Sequence, residues 1–178
     1  LVAVAGTHGK TTTTAMLGLI LIEAGLDPTI LVGSKLKEFG NRNVQNGESD
    51  LFVVEACEYR RNFMSLKPDL LGITNIEIDH VDFFKSQEDY ERAFDDLAAQ
   101  SVEVLWPDDV SEYDGEVGVP GQHNLMNAGM AAALARRLGV SEAIIAESLK
   151  EYEGAWRRFE YRGTACGALI YDDYAHHP

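Results

Sequence analysis

The chain has 178 residues, 46% hydrophobic and 25% charged, with a formal net charge of −14. That length supports one domain with a substantial core. The acidity argues against general nucleic-acid binding, which needs clustered lysine and arginine; no apolar run approaches a membrane span, and no signal peptide is expected ahead of the first strand. The first element is the apolar run from Val2, which opens into Gly6-Thr7-His8-Gly9-Lys10-Thr11 and then a helix. A strand, a glycine loop ending in Gly-Lys-Thr and a helix form a phosphate-binding layout. Backbone N–H groups and the helix N-terminus face an anion, the lysine adds a point charge, and the threonine hydroxyl can ligate Mg²⁺. Val4 stands where the commoner pattern has its first glycine. Lys10 is expected to be an exposed loop side chain.

Helical spacing of Met16, Leu17, Leu19, Ile20 and Leu21 predicts a helix over 11–24, closed by Gly25. Residues 29–32 read as a short strand and the polar stretch 34–46 as a loop or hairpin. Residues 51–54 form a buried strand ending on Glu55, and 70–73 another, followed by Thr74 and Asn75. Ser86 with Asp89 starts a helix to Ala99 in capping-box fashion. A strand over 102–105 stops at Trp106-Pro107, and the acidic stretch 108–118 reads as a surface excursion. An alanine-rich helix spans 124–138, and Ser141 caps a helix running to about Tyr152. Residues 158–162 and 168–171 look like two strands joined by a turn containing Gly163.

Strands alternating with helices predict an α/β fold with a mostly parallel, doubly wound sheet. In such sheets ligands sit beyond the C-terminal strand ends. The phosphate loop, Glu55, Asn75 with Glu77, Asp79 and His80 behind it, and the pair Asp172-Asp173 all fall at such ends. Glu55 and His80 make a plausible oxygen-plus-imidazole site for Mg²⁺. Cys57 and Cys166 lie in or beside apolar runs and form no metal-spaced pair, so both are expected as buried free thiols of a reducing cytosol. The chain starts inside a strand, on Leu1, and is expected to be a piece of a longer protein.

Six motifs stand in one order: Gly6-Thr7-His8-Gly9-Lys10-Thr11, Glu55-Ala56-Cys57-Glu58, Thr74-Asn75-Ile76-Glu77-Ile78-Asp79-His80, Gly121 to Ala128 with His123, Asn124 and Asn127, Arg157-Arg158-Phe159-Glu160, and Asp172-Asp173-Tyr174-Ala175-His176-His177-Pro178. In that order the chain resembles the Mur ligases, ATP-dependent amide ligases that build the peptidoglycan peptide, along its whole length. The first and last motifs are most similar to the branch joining L-alanine to UDP-N-acetylmuramate, and the branch that recycles a whole tripeptide shares most of them. The resemblance implies that residues 1–178 are the central ATP-binding domain, without the N-terminal UDP-sugar domain or the C-terminal amino-acid domain.

Position by position, the resemblance implies a loop of Gly6, Thr7, His8, Gly9, Lys10, Thr11 and Thr12 around the phosphates of ATP, with Lys10 on the β- and γ-phosphates. Thr11 and Glu55 would bind Mg²⁺, and His80 a second Mg²⁺ nearer the acceptor carboxylate. Asn75 would lie in the catalytic cleft, and His123, Asn124 and Asn127 would meet the adenine end. Arg158 would reach the phosphates, and Asp173 the ribose or the hinge. Lys10, Asn75, His80 and Arg158 form the expected catalytic set. UDP-N-acetylmuramate and L-alanine are the implied substrates, and cytoplasmic work is implied with no nucleic-acid or membrane partner. Cys57 stands where the family often has aspartate, Tyr59-Arg60-Arg61 is more basic than usual, and Phe94 stands where many members carry a carbamoylated lysine. A nucleotide switch or a binding module without ligase activity is the alternative from another class. A guanine-reading Asn-Lys-x-Asp string, which would favour a GTP switch, does not occur.

Overall fold

The structure is a computed structural model, and it describes residues 1–158 and 160–174. Its elements in chain order are β1 (Val2–Ala5), α1 (Lys10–Glu23), β2 (Thr29–Leu36), β3 (Arg42–Gln45), β4 (Phe52–Glu55), β5 (Leu70–Ile73), α2 (Gln87–Ala99), β6 (Glu103–Leu105), α3 (Gln122–Arg137), α4 (Glu142–Glu151), β7 (Glu160–Ala165) and β8 (Ala168–Asp172). A six-stranded sheet runs β3-β2-β4-β1-β5-β6. All its neighbours are parallel except β2 and β3. The expected α/β class and mostly parallel sheet are therefore present.

Strand periodicity divides the core. Along β1, Val2 and Val4 face one apolar cluster, and Ala3 and Ala5 face the other. The first cluster lies under α1, α3 and α4, which pack on one another. The second holds the α2 face of Tyr90, Ala93, Phe94 and Leu97, whose spacing is helical. With helices on both faces, β1 and β5 are buried along their whole length, so they read as continuous apolar runs without alternation. α1 is enclosed on most sides. Thr11, Thr12, Thr13 and Thr14 are all buried, and the Thr14 hydroxyl bonds back to the Lys10 carbonyl at 2.8 Å.

Four local expectations need correction. β2 continues past the expected end at 32 to Leu36, because of the two readings of 34–46 the hairpin holds: the chain folds back as β3 through a turn at Gly40 and Asn41, both left-handed (φ 66° and 60°). Gly163 lies inside β7, at a register shift. The hairpin turn is Cys166-Gly167, whose paired positive φ values (50° and 81°) suit the twist of a two-residue connection. β7 and β8 form their own antiparallel pair, so Asp172 ends a strand outside the main sheet. Cys57 and Cys166 are both exposed thiols, one on the segment after β4 and one at the hairpin tip. The helix starts fare better. The Ser86 hydroxyl accepts from Asp89 N–H at 3.1 Å, although the returning Asp89 carboxylate meets Lys85 N–H. Ser141 takes the extended N-cap conformation without a side-chain bond.

Among the described residues, no helix is long and apolar enough to cross a membrane.

Candidate active site

The C-terminal ends of β1, β4 and β5 open into a cleft of about 690 Å³. Its walls include Thr7, His8, Gly9, Lys10, Thr11 and Thr12 from the loop after β1, and Glu55, Asn75 and His80 from the next strand ends. His123, Asn124 and Asn127 come from α3, and Arg158 and Asp173 from the segments flanking the hairpin. Gly6 is the one expected site residue that does not line it, and its part is structural. A Cβ there would lie 2.0 Å from Thr74 Oγ1, so a side chain would drive the loop off β5. Phe159 and Ala175–Pro178, which complete two of the six motifs, lie outside the described residues.

The loop is shaped by its neighbours. Asn75 accepts Thr7 N–H on its carbonyl (3.1 Å) and His8 N–H on Oδ1 (2.8 Å). The Thr74 hydroxyl donates to the His8 carbonyl at 2.5 Å. The Thr7 hydroxyl donates to Glu77 O at 2.8 Å, so the 2.9 Å contact with Tyr90 makes Tyr90 O–H the donor to Thr7. Burial raises the Tyr90 phenol well above its ordinary range, which keeps that proton in place. Gly9 is left-handed (φ 81°), and a Cβ on it would meet Asn127 Oδ1 at 2.1 Å. Asn127 and Asn124 are buried and linked (Nδ2 to Oδ1, 3.4 Å), and Asn124 also donates to Pro120 O at 2.7 Å. These asparagines seat the start of α3 on the loop as well as lining the cleft.

Lys10 is only 14% exposed rather than an open loop side chain. Its ammonium donates to Gly6 O (2.5 Å), Thr7 O (3.0 Å) and Glu58 Oε1 (3.0 Å). The Glu58 side chain is 2% exposed, and its Oε2 makes no hydrogen bond although Lys10 Nζ stands 3.0 Å away. Glu55 accepts from Thr11 Oγ1 at 2.9 Å and from Gly33 N–H at 2.5 Å. Adjacent ligands of an octahedral Mg²⁺ at 2.0–2.1 Å stand about 2.9 Å apart, so the Thr11–Glu55 pair fits that ion. The carboxylates beside His80 are Glu58 and Asp79, and the ligand atoms of the three lie within 4.8 Å of one another. His80 has a left-handed backbone (φ 51°), which a non-glycine residue adopts at a cost and which clusters at functional sites. Its ring lies 4.7 Å from that of Tyr59. The donor set of carboxylates, one hydroxyl and one imidazole suits hard divalent cations, and the glycine cradle beside Lys10 suits phosphate.

Residues 4–114 match the Mur ligase middle domain. The chain belongs to the Mur ligase family. Over 99% of its length it is 39% identical to the UDP-N-acetylmuramate–L-alanine ligase of Desulfitobacterium hafniense (strain Y51), of which it covers 50%. It is 36% identical to the enzyme of that name from Paenarthrobacter aurescens (strain TC1), of which it covers 49%. The chain thus spans about half the length of the curated Mur ligases it matches. Its match to the first of them runs over 224 positions against 178 residues, so that relative carries segments this chain lacks inside the matched span. Among solved structures, UDP-N-acetylmuramate–alanine ligase from Thermotoga maritima superposes with a TM-score of 0.85 at 28% identity, over 98% of this chain and 50% of that one. A Neisseria ligase that its name couples to UDP-N-acetylmuramate and a tripeptide shares the fold. Its TM-score is 0.73 at 24% identity, over 88% of this chain and 67% of that one.

Sequence reasoning missed the parts played by Glu58, Asp79 and Tyr90. Glu58 was visible as the second acid of Glu55-Ala56-Cys57-Glu58, but nothing local says that it turns inward to Lys10. Tyr90 falls on the apolar stripe of α2, and its hydroxyl finds Thr7 only through the tertiary packing.

Proposed function

We infer that this chain is the ATP-binding part of a Mur ligase that joins L-alanine to UDP-N-acetylmuramate in the cytoplasm. The observation that carries the reading is one cleft holding the Lys10 loop, the Thr11–Glu55 pair and the Glu58–Asp79–His80 group. Names of relatives at 36–39% identity support the L-alanine branch. Bound ATP with Mg²⁺ supplies the γ-phosphoryl group that turns a carboxylate into an acyl phosphate open to attack by an amine. The glycine loop and the α1 N-terminus present N–H groups to phosphate oxygens. Lys10 offers a charge for the terminal phosphates, and Arg158, which also lines the cleft, a second. Thr11 and Glu55 would hold one Mg²⁺, and Glu58, Asp79 and His80 a second cation toward the acceptor. His123, Asn124 and Asn127 line the cleft from α3, where the family resemblance would put the base. Concentrating these cations in a chain of net charge −14 keeps the anions of the reaction in one place.

The full-length protein, incubated with ATP, Mg²⁺, UDP-N-acetylmuramate and L-alanine, should yield UDP-N-acetylmuramoyl-L-alanine by mass spectrometry. Product with the tripeptide and none with L-alanine would move the reading to the recycling branch. Nucleotide hydrolysis indifferent to any UDP-sugar would favour a binding module. The 178-residue chain alone should bind nucleotide without forming amide, because orientation of the two substrates is worth about 7–11 kcal/mol of a barrier.

A further inference from the structure

We propose that Glu58 is a positioning residue that couples metal binding to release of the loop lysine: a divalent cation taken by Glu58, Asp79 and His80 frees Lys10 to meet phosphate. The proposal rests on the nucleotide-and-metal reading above and concerns the order of events inside that site.

An ammonium group has three N–H donors. Those of Lys10 are spent on Gly6 O, Thr7 O and Glu58 Oε1, at 2.5, 3.0 and 3.0 Å. Lys10 must therefore give up a partner before it can bond a phosphate oxygen. The two carbonyls belong to its own loop, three and four residues back, and travel with it. Glu58 comes from the segment after β4, outside the loop, and is the partner that ties the ammonium to another part of the chain.

Removing the lysine alone would strand Glu58. Its side chain is 2% exposed, and its Oε2 already lacks a hydrogen bond. A buried carboxylate without a counter-charge is strongly unfavourable. Among the described residues, the other ion-pair partner of Glu58 is His80, whose Nε2 lies 3.6 Å from Glu58 Oε1. Asp79 adds a further negative charge, with Oδ2 at 3.9 Å from the same Nε2. Glu55 is tied to Thr11 and Gly33. The ligand atoms of Glu58, Asp79 and His80 lie within 4.8 Å of one another, so a cation among them replaces the lysine charge on Glu58. Because the metal favours the state with Lys10 released, and phosphate favours the same state, each ligand strengthens the other.

Two measurements test this. In protein with ¹⁵N-labelled lysine and no nucleotide, Mg²⁺ alone should shift the Lys10 ammonium signal and speed its hydrogen exchange roughly tenfold, the size of a typical coupling. An unmoved Lys10 signal at saturating Mg²⁺ would overturn the proposal. Calorimetry with AMP-PNP, with and without Mg²⁺, should show that Glu58→Gln tightens the metal-free affinity and shrinks the Mg²⁺ enhancement by about tenfold. A merely structural Glu58 would weaken both affinities and leave their ratio as in the wild type, which would also overturn it. Wild-type protein that binds no AMP-PNP under either condition would remove the proposed function. The Lys10 titration would then decide the coupling by itself.

Discussion

Gly9 and Asn127 meet at a distance no side chain could occupy: a Cβ on Gly9 would lie 2.1 Å from Asn127 Oδ1. The phosphate loop and the start of α3 are therefore fitted to each other through a glycine. Gly9 is also left-handed, at φ 81°. Gly9→Ala should combine a backbone cost of about 1–2 kcal/mol with overpacking of about 1–3 kcal/mol. Urea denaturation should show the loss, and nucleotide titration should show binding reduced beyond what Asn127→Ala causes alone.

Glu55→Gln separates charge from shape. The amide oxygen can take Gly33 N–H, and the amide N–H₂ can donate to Thr11, whose hydroxyl then reverses its role. Stability should fall by only about 1 kcal/mol, the difference between charged and neutral hydrogen bonds. The Mg²⁺ dependence of nucleotide affinity should fall, as expected when a carboxylate ligand of a hard cation is lost. Calorimetry at several Mg²⁺ concentrations reads this directly. An unchanged Mg²⁺ dependence would take Glu55 out of the metal site.

Phe94 is fully buried, with its ring 5.3 Å from Phe63 and 5.2 Å from Tyr90. Its place is in the aromatic cluster beneath the loop, and Tyr90 in that cluster supports Thr7. Phe94→Ala should cost about 3–5 kcal/mol in chemical denaturation. Phe94→Lys should be at least as disruptive, because it buries an amine among rings. Activity of the full-length protein should not respond to bicarbonate, since phenylalanine has no amine to carbamoylate. Rescue by bicarbonate after removal of CO₂ would point to another lysine.

Arg136 and Glu142 clamp the turn between α3 and α4, with Nε to Oε1 at 2.5 Å and Nη2 to Oε2 at 2.8 Å. The hydrogen bonds from Arg136 hold the Glu142 carboxyl below its ordinary value of 4.5. A carboxyl lowered on folding stabilises fully above its unfolded pKa and loses that contribution as pH falls through the folded value. Both side chains are well exposed, so Glu142→Gln should cost about 0.2–1 kcal/mol at neutral pH. The gap between variant and wild type should close as pH drops below 4.5. Thermal melts across that window measure it.

The parallel sheet was legible because β1, β4 and β5 are short, apolar and followed by polar residues that cannot stay in the core. The loop motif and the capping of α2 were legible for local reasons. What stayed hidden depends on contacts between distant segments. The Lys10 side chain reads as exposed in a glycine loop, yet Glu58, 48 residues on, encloses it. The β7–β8 pair reads as part of the main sheet because strand signals carry no partner. Its turn was misplaced because Gly163 is a stronger local cue than Cys166-Gly167. The cysteines were expected inside because apolar neighbours flank them, but Cys166 sits at a hairpin tip and Cys57 faces away from the cluster that holds Ala56.

The most direct test is calorimetric titration of Mg-ATP into the chain, comparing Glu58→Gln with the double variant Lys10→Ala/Glu58→Gln. The shared Glu58→Gln background avoids leaving a buried carboxylate unpaired, so the comparison isolates the lysine. The account predicts saturable one-to-one binding by the wild type and by Glu58→Gln, and loss of at least about tenfold in affinity in the double variant, as for a charge-assisted contact to phosphate. Absence of Mg-ATP binding by the wild-type chain, or equal affinity in the two variants, would contradict it.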